Sequence, residues 1–506
     1  MRVNMYKNIT LIALSSIVLA GCVDKNVIKD KTAFLYEKTP DTKIIDTLPM
    51  TSVSKELGDF TDIERNIFEE EYKKSSTYFL MPDSELKTYV FEVANKLISS
   101  LPSDKKPDFE IEITTEQTIT AHATINNKIY ISLGTLLNLK SEDELAYLLG
   151  HELAHLALHH NEKTYERESK SRFVASIADN AIDYGNELFT LKAQLQGTNR
   201  LNAKDSETLD SSISKVSRIK KHMGHLQDGL LNPYFNRDEE NHADFLAIDM
   251  MVNAGYNRNA VGDVLKTLNS YRSNTANRMK RQEEALNNAS LELTNTVNMM
   301  VSSGTINTEG TEQIIKSNLE NISLSSVEDV LDKVFTKTHF NPDKRLQTSS
   351  DYMLKHYATM RKPFMKSEQY QEKLQSLNID QLVADMTLIQ TLNDELDSSE
   401  QLSQARLDQI ATPLLGALKR NKENGLAWLA FAKLRKHQGR NADYVENLEI
   451  SSQKTNPNYE SFKLLIDAYS TSTQNDLAQE TYLRAKEIYQ YSELLIPSSS
   501  NELALQ

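Results

Sequence analysis

The sequence contains little cysteine, glycine or proline, and it carries no excess of positive charge. Its single cysteine, Cys22, excludes a disulfide framework within the chain and removes cysteine from the candidate metal ligands. Glycine and proline number only 15 and 11 in 506 residues, and apolar residues recur with helical spacing, which predicts a mostly α fold. The formal net charge of −14 argues against nucleic acid as a partner. After residue 20, no stretch approaches the roughly 18 uninterrupted apolar residues of a transmembrane helix.

The N-terminus has the features of a secretory signal peptide. Arg2 and Lys7 precede an apolar run at residues 9–20 that is too short to span a membrane. The run ends in Leu-Ala-Gly-Cys, which resembles the bacterial lipobox, where the cysteine is acylated and becomes the first residue of the mature protein. Val23 stands where an aspartate would retain the lipoprotein in the inner membrane. The sequence therefore predicts a periplasmic protein attached to the outer membrane through acyl chains on Cys22.

The central motif is the segment GHELAH at residues 150–155. On a helix, His151 and His155 lie one turn apart and direct both imidazoles toward one ion. Two neutral imidazoles suit zinc, and the carboxylate of Glu152 is placed to act as a general base on a water at that ion. The motif therefore predicts a zinc site in which Glu152 is catalytic.

The surrounding sequence supplies the context that this motif requires. Alternating apolar residues predict strands at 109–113 and 129–133, and a helical stripe runs from about Thr61 to Ser99. The segment SEDE at 141–144 has the form of a capping box and opens the helix that carries the motif.

A zinc site of this kind needs a third protein ligand. The metzincin pattern is rejected because Leu158 and Asn161 occupy the positions of its glycine and histidine. His159 and His160 cannot both share the face of His151, and we interpret His160 as the one that supports the site. A better candidate helix opens at Arg237, where Glu240 and Asp244 lie one turn apart. One carboxylate can complete a His-His-Glu site while the other orients a ligand imidazole.

Together these motifs resemble the gluzincin family of zinc peptidases that includes the CAAX prenyl protease, the bacterial heat-shock membrane protease and the β-barrel assembly-enhancing protease. The likeness covers residues 63–360. It rests on five motifs: residues 120–123 together with 128–131; residues 144–155 together with His160; Arg237, Glu240, Ala243 and Asp244; residues 254–256; and Thr338-His339 together with Arg345. Two positions depart from the family pattern. His122 replaces a hydrophobic or aromatic residue, and Phe340 replaces the proline after the later histidine.

The resemblance implies a zincin-like metalloprotease domain, α+β with a small sheet, that holds one Zn²⁺ per chain. It assigns His151, His155 and Glu240 as ligands, Glu152 as the general base, and Asp244, Arg237 and His160 as supporting residues. For His339, three roles stay open: stabilising the oxyanion, serving as a removable extra zinc ligand, or packing. We predict that the strand at 129–133 is the edge onto which an extended, unfolded substrate adds.

The C-terminal third predicts amphipathic helices with a weak repeat of 34 residues. At this offset Leu414 aligns with Leu448 and Tyr482, and Ala417 with Ser451 and Ala485. The pattern favours tetratricopeptide-like repeats that form a surface for a protein partner, and an unrelated helical bundle is the alternative. The predicted domains are a lipoprotein signal peptide (1–21), a lipid-anchored tether (22–62), a zinc metallopeptidase domain (63–360) with helical insertions at 161–235 and 275–335, tetratricopeptide-like repeats (376–490) and a tail (491–506).

The function predicted from these features is zinc-dependent endoproteolysis of unfolded or misassembled envelope proteins, outer-membrane barrels in particular. The outer-membrane barrel assembly machinery is a predicted partner. A second hypothesis is a chaperone or assembly factor in which proteolysis is gated or absent. A structural lipoprotein scaffold would explain the C-terminal helices but not the metal-ligand residues.

Overall fold

The computed structural model describes residues 39–48, 80–82, 84–116, 119–167, 235–303, 342–398, 402–454 and 459–489. Cys22 and His339 lie outside these ranges, as do most of the predicted tether and much of both predicted insertions. The described residues are mostly helical and include one small sheet, so the predicted fold class is confirmed. Among the described helices, none has the length and apolarity needed to cross a bilayer.

Helix α1 (Glu85–Ile98) covers one face of the sheet. The Ser84 side chain caps it by accepting the Lys87 N–H. Its predicted apolar stripe is buried, including Val90 and Leu97 at 0% exposure. Of the rest of the helical segment predicted for residues 61–99, the structure describes residues 80–82, where the prediction is wrong because Leu80 forms an antiparallel β-bridge with Thr114.

The sheet consists of β1 (Glu110–Thr114), β2 (Ala121–Ala123) and β3 (Lys128–Ser132) in the order β1-β3-β2. β1 runs parallel to β3, and β2 runs antiparallel to it. The predicted strands at 109–113 and 129–133 are confirmed, but the prediction that the second one forms an edge is wrong. A tight turn with Asn127 at φ +60° folds β2 back against β3, which leaves β3 in the centre.

Helices α2 (Leu133–Asn138) and α3 (Glu142–Ala157) follow the sheet. Ser141 caps α3 as predicted, by accepting the Glu144 N–H, but the Glu144 carboxylate accepts from the Lys140 N–H instead of closing the capping box. Helix α3 carries the GHELAH motif, and residues 143–157 are all buried. The motif helix is therefore the central element of the peptidase half.

Four further helices surround α3: α4 (His160–Arg167), α5 (Arg237–Asn253), α6 (Ala260–Ser302) and α7 (Pro342–Tyr357). A full capping box between Asn236 and Glu239 starts α5. Helix α5 packs closely on α3 at Gly150, where an added Cβ would lie only 3.3 Å from the Cβ of Ala247. The predicted second insertion begins as the continuation of α6.

The chain then continues through α8 (Ser367–Ser376), α9 (Ile379–Ser398), α10 (Gln404–Arg420), α11 (Gly425–His437), α12 (Asn441–Ser452), α13 (Tyr459–Thr471) and α14 (Asn475–Ile488). Helix starts recur at an offset of 34, from residue 425 to 459 and from 441 to 475. The turns repeat as well, because Gly439 and Thr473 both have positive φ. That these helices are tetratricopeptide repeats stays a prediction. One continuous apolar core joins them to the peptidase half.

Residues 39–48, which we call the strap, lie within the predicted tether but pack against α5 and α7. The strap contains a 3₁₀ turn at Ile44–Thr47, and its Ile44 side chain is buried in the core. The Ile44 N–H donates to the Tyr352 hydroxyl and the Ile45 N–H to the Asp249 carboxylate, each at 2.9 Å. The folded body therefore begins well before the first strand.

Candidate metal centre

Helices α3 and α5 bring together three buried side chains that suit a metal ion: His151, His155 and Glu240. The two histidine Nε2 atoms are 3.1 Å apart. Glu240 Oε2 lies 3.4 Å from His151 Nε2, and Glu240 Oε1 lies 3.5 Å from His155 Nε2. The structure therefore joins the two histidines of the motif to the predicted third ligand, 85 residues further along the chain.

These separations fit the geometry of a tetrahedral zinc site. Bonds of about 2.0–2.1 Å from zinc to nitrogen or oxygen place neighbouring ligand atoms about 3.3 Å apart. The three observed separations lie close to that value, with a different oxygen of the Glu240 carboxylate facing each histidine. Two imidazoles and one carboxylate also match the ligand types of a catalytic zinc site, which leaves the fourth position for water or substrate.

The remaining ring nitrogen of His151 is held by Asp244, the second carboxylate on α5. Asp244 Oδ1 lies 2.9 Å from His151 Nδ1. Asp244 also accepts from the Tyr147 hydroxyl at 2.6 Å, and from Arg345 Nε at 2.8 Å. A carboxylate bonded to the outer nitrogen of a metal-binding histidine fixes the tautomer and the ring orientation. Asp244 therefore lies where its predicted role requires it, and that role stays a prediction.

The remaining ring nitrogen of His155 faces His160, and the two Nδ1 atoms are 2.9 Å apart. The contact depends on the break between α3 and α4, where His159 adopts φ +54° and turns the chain back toward the site. Burial, and the nearby His155, hold the pKa of His160 well below its ordinary value. A neutral His160 can accept the Nδ1 proton of His155, and this contact supports the prediction that it matters more than His159.

The carboxylate of Glu152 is anchored to the edge strand β2. The Ala123 N–H donates to Glu152 Oε2 at 2.8 Å, and the Glu152 side chain is 1% exposed. Asn161, on α4, donates to the carbonyl of the same Ala123 at 3.3 Å. The predicted base therefore lies between the metal ligands and the strand nearest to them.

Arg345 balances the negative charge of the two α5 carboxylates. Its guanidinium donates to both oxygens of Asp244, and its Nη1 lies 3.1 Å from Glu240 Oε2. Although burial opposes it, this pairing holds the pKa of Asp244 well below its ordinary value. Burial and the Arg345 cation lower the pKa of His151, but Glu240 and Asp244 outweigh them and raise it to about 9.

The structure assembles most, though not all, of the predicted site residues. Arg237 is the first residue of α5, one turn before Glu240, and its supporting role stays a prediction. His339 and Cys22 are outside the described residues. Sequence reasoning missed Tyr147, although it lies one turn before His151 on the same helix. It also missed Phe235, which stacks on His155 with ring centroids 3.8 Å apart and has no sequence pattern that indicates it.

Comparisons with known proteins point to the same chemistry. The model of peptidase family M48 matches residues 84–352, which is more than half of the chain and includes every residue of the metal centre. A protein of Vibrio cholerae serotype O1 named β-barrel assembly-enhancing protease is 27% identical over 179 residues. The aligned part amounts to 35% of this chain and 32% of that relative, so the chain spans about a third of the relative's length.

Proposed function

The chain belongs to peptidase family M48 and is a metallopeptidase, and from this premise we propose that it is a zinc-dependent endopeptidase of the bacterial cell envelope. One Zn²⁺ per chain is the proposed cofactor. The observation that carries the proposal is the buried group of His151, His155 and Glu240, with donor atoms at the spacing of a tetrahedral site.

His151, His155 and Glu240 would hold the zinc ion, which would supply Lewis-acid chemistry and lower the pKa of a coordinated water to ~7. Glu152 takes up the proton released during attack on the scissile carbonyl and returns it to the leaving amine. The hydrogen bond from Ala123 restricts the motion of its carboxylate, so the base stays in one orientation. Asp244 and His160 engage Nδ1 of the two ligand imidazoles, so that Nε2 of each ring faces Glu240 and would be available to the ion.

The strand proposed to receive substrate is β2 instead of β3. β2 pairs with β3 on one side, and on the other side its Ala123 contacts Glu152 and Asn161. An extended peptide that lies along this side would pass the general base and the metal ligands, and it would pair with β2 outside Ala123, whose N–H and carbonyl already bond to Glu152 and Asn161. Because only an unfolded segment can adopt that extended form, we propose unfolded or misassembled proteins as the substrates.

The proposed location is the periplasmic face of the outer membrane, with acyl chains on Cys22 as the attachment. Support comes from the lipobox-like sequence at residues 19–22 and from the name of the Vibrio cholerae relative, which refers to β-barrel assembly. Misassembled outer-membrane barrels are the proposed substrates and the barrel assembly machinery a proposed partner. The C-terminal helices, if tetratricopeptide-like, would present these proteins to the site.

The test is the degradation of an unfolded outer-membrane barrel protein by the full chain purified in detergent. We expect zinc-dependent cleavage that a chelator abolishes and that Glu152→Gln lowers by about a thousandfold or more. The glutamine still accepts the Ala123 N–H but takes up no proton. Glu162→Gln is the matched control, because Glu162 is buried on α4 and contacts His159, not the metal ligands.

The alternative is a chaperone or assembly factor with gated or absent proteolysis. It would be favoured if the chain binds stoichiometric zinc and prevents barrel aggregation, yet cleaves nothing and behaves identically as Glu152→Gln. The presence of both histidines, Glu240 and Glu152 in one buried site favours the enzyme. Absence of bound zinc would contradict both the ligand assignment and the proposed cofactor.

A further inference from the structure

The loop between α7 and α8 presents large apolar side chains to solvent. Residues 358–364 are all exposed, and Phe364 is 89% exposed. Met360 is 46% exposed in the same loop, and Leu354, on the last turns of α7, is 67% exposed. A phenylalanine with so large an exposed fraction is uncommon in a soluble protein, and a group of exposed large apolar side chains in one short segment is typical of an interaction surface.

Two cationic side chains, Arg361 and Lys362, lie between the apolar ones in this loop. Both residues are exposed, and the Lys362 ammonium also donates to the Asn259 side chain at 2.8 Å. Interleaved apolar and basic side chains suit the interfacial region of a bilayer, where apolar groups enter the acyl boundary and cations meet anionic headgroups.

The loop backbone is fixed from the side of the protein. The buried Arg258 donates to the carbonyls of Tyr357 and Met360, at 2.7 and 3.0 Å, and the Asn257 side chain donates to the Pro363 carbonyl at 2.8 Å. These bonds restrict the loop backbone, so a change of the loop backbone that buried Met360 and Phe364 would have to break them.

The strap attaches to the molecule next to this loop. The Lys355 ammonium, in the last turn of α7, donates to the Thr39 carbonyl at 2.9 Å and to Asp41 Oδ1 at 2.7 Å. His356 donates to the Pro40 carbonyl at 3.0 Å. Residues 39–41 therefore lie against the last turn of α7, which leads directly into the exposed loop.

The length of chain before the strap limits how far this side of the molecule can lie from an anchor. Sixteen residues separate Cys22 from Thr39. Whatever path they take, they span at most about 60 Å. If Cys22 is acylated, Thr39 stays within about 60 Å of the bilayer surface. The exposed loop beside it would then have a high effective concentration at the bilayer.

From these observations we propose that the 358–364 loop, with Leu354, is a membrane-contact surface that docks on a bilayer containing anionic phospholipid. The proposal rests on the lipid anchoring included in the proposed function. The chain as a whole has a formal net charge of −14, which disfavours approach to an anionic bilayer, so the contact needs both the apolar side chains and the anchor. Docking would orient α7 toward the membrane and fix which side of the peptidase faces the periplasm.

The experiment uses the full chain with Thr359→Cys, labelled with an environment-sensitive fluorophore and reconstituted in vesicles of phosphatidylcholine and phosphatidylglycerol. An acylated Cys22 has no free thiol, so position 359 alone takes the label. We expect a blue-shifted emission and quenching by brominated lipid. The same label at Leu483→Cys, an exposed position on α14, serves as the matched control and should show neither change.

Two sets of variants test which side chains make the contact. Met360→Ser with Phe364→Ser should reduce the quenching at position 359 several-fold while leaving peptidase activity in detergent unchanged. Arg361→Gln with Lys362→Gln should reduce it only in vesicles that contain phosphatidylglycerol, and added salt should reproduce that loss. Leu477→Ser, at an exposed site on α14, should have no effect.

The possible outcomes distinguish an error in the proposed membrane-contact surface from an error in the proposed lipid anchoring. An acylated chain that floats with vesicles, but shows no more quenching at 359 than at 483, would overturn the surface alone. An unacylated Cys22 in the N-terminal peptide, with no flotation, would contradict the location as well. A blue shift in whole envelopes that is missing in protein-free vesicles would assign the loop to a protein partner instead.

Discussion

We expect His151 to hold a proton in the metal-free protein, and zinc must displace that proton to bind. Its pKa of about 9 reflects burial and Arg345, which lower it, and Glu240 and Asp244, which raise it more. Since a ligand imidazole must be neutral, we predict that zinc binding at pH 7.5 releases the His151 proton in addition to the proton lost by a coordinated water of pKa ~7. At least one proton per zinc is therefore released, and the apparent affinity rises at least tenfold per pH unit up to roughly pH 9. Calorimetric titration in buffers of different ionisation enthalpy measures this proton directly.

The raised pKa of His151 also contributes to the pH dependence of the folding stability of the metal-free protein. A raised folded-state pKa contributes stability that is fully present below the ordinary value of 6.5 and is lost as the pH rises through about 9. The metal-free chain should therefore lose stability between pH 7 and 10, whereas the zinc-loaded chain should not lose it for this reason. Zinc binding with no proton release at pH 7.5 would contradict the electrostatic account of His151.

The contact between His160 and His155 makes a second prediction at the scale of single residues. His160→Asn removes the acceptor for the outer nitrogen of His155, and we expect zinc affinity to fall by about 10–100-fold, the usual cost of losing a group that orients a ligand. His159→Asn is the matched control, because asparagine tolerates the positive φ of that position. Competition with a zinc chelator gives both affinities, and equal losses in the two variants would argue against a specific role for His160.

At the scale of elements, the close approach of α3 and α5 brings the third ligand to the histidines. Gly150 allows it, since an added Cβ would lie 3.3 Å from the Ala247 Cβ and 3.4 Å from its Cα. Gly150→Ala gains about 1 kcal/mol of helix propensity but incurs about 1–3 kcal/mol of overpacking. We therefore predict a small change in unfolding free energy and a clearer loss of zinc affinity, of about tenfold, as α5 is displaced with Glu240.

A compensating substitution distinguishes helix spacing from other effects at Gly150. Ala247→Gly removes the atom that the new methyl group meets, so Gly150→Ala combined with Ala247→Gly should recover most of the zinc affinity. Gly262→Ala serves as the control for glycine replacement, because a Cβ there meets only a Leu346 methyl at 3.5 Å. If the double variant binds zinc no better than Gly150→Ala, helix spacing is not what limits the site.

The elements that sequence could predict are those fixed by local pattern. The two longer strands, the Ser141 cap and the start of α5 at Arg237 each depend on residues within one turn or one strand. The position of β3 inside the sheet depends on the three-residue β2 pairing with it, which is too short for alternation to show. Likewise, the contacts of Arg345 and Phe235 arise from folding distant segments together, and only a family resemblance pointed to Arg345.

At the scale of the whole molecule, the peptidase half and the C-terminal helices meet at the first turn of the motif helix. The buried Asp143, on α3, accepts from the Asn257 N–H at 2.7 Å and the Lys366 N–H at 2.6 Å. Tyr370, on α8, donates to the Leu136 carbonyl at 2.6 Å, and Lys366 pairs with Glu142 at 3.0 Å. These bonds and the continuous core make the helical region part of the same folded body.

Such continuity predicts that zinc stabilises the C-terminal helices although it binds far from them in sequence. Trp428, the only tryptophan, lies on α11 and donates to the Lys422 carbonyl, so its fluorescence reports the unfolding of that region. At a zinc concentration of 100 times Kd, linkage adds about 2.7 kcal/mol to the unfolding free energy of a cooperative unit, and the midpoint temperature of the tryptophan transition should rise by a few degrees.

Two variants test whether the junction transmits this effect. Asp143→Ala should reduce the rise in midpoint temperature by loosening the junction, while Asp408→Ala, on an exposed face of α10, should leave it unchanged. If zinc raised the unfolding temperature of the peptidase half but left the temperature of the tryptophan transition unchanged, the two regions would unfold independently despite their shared core.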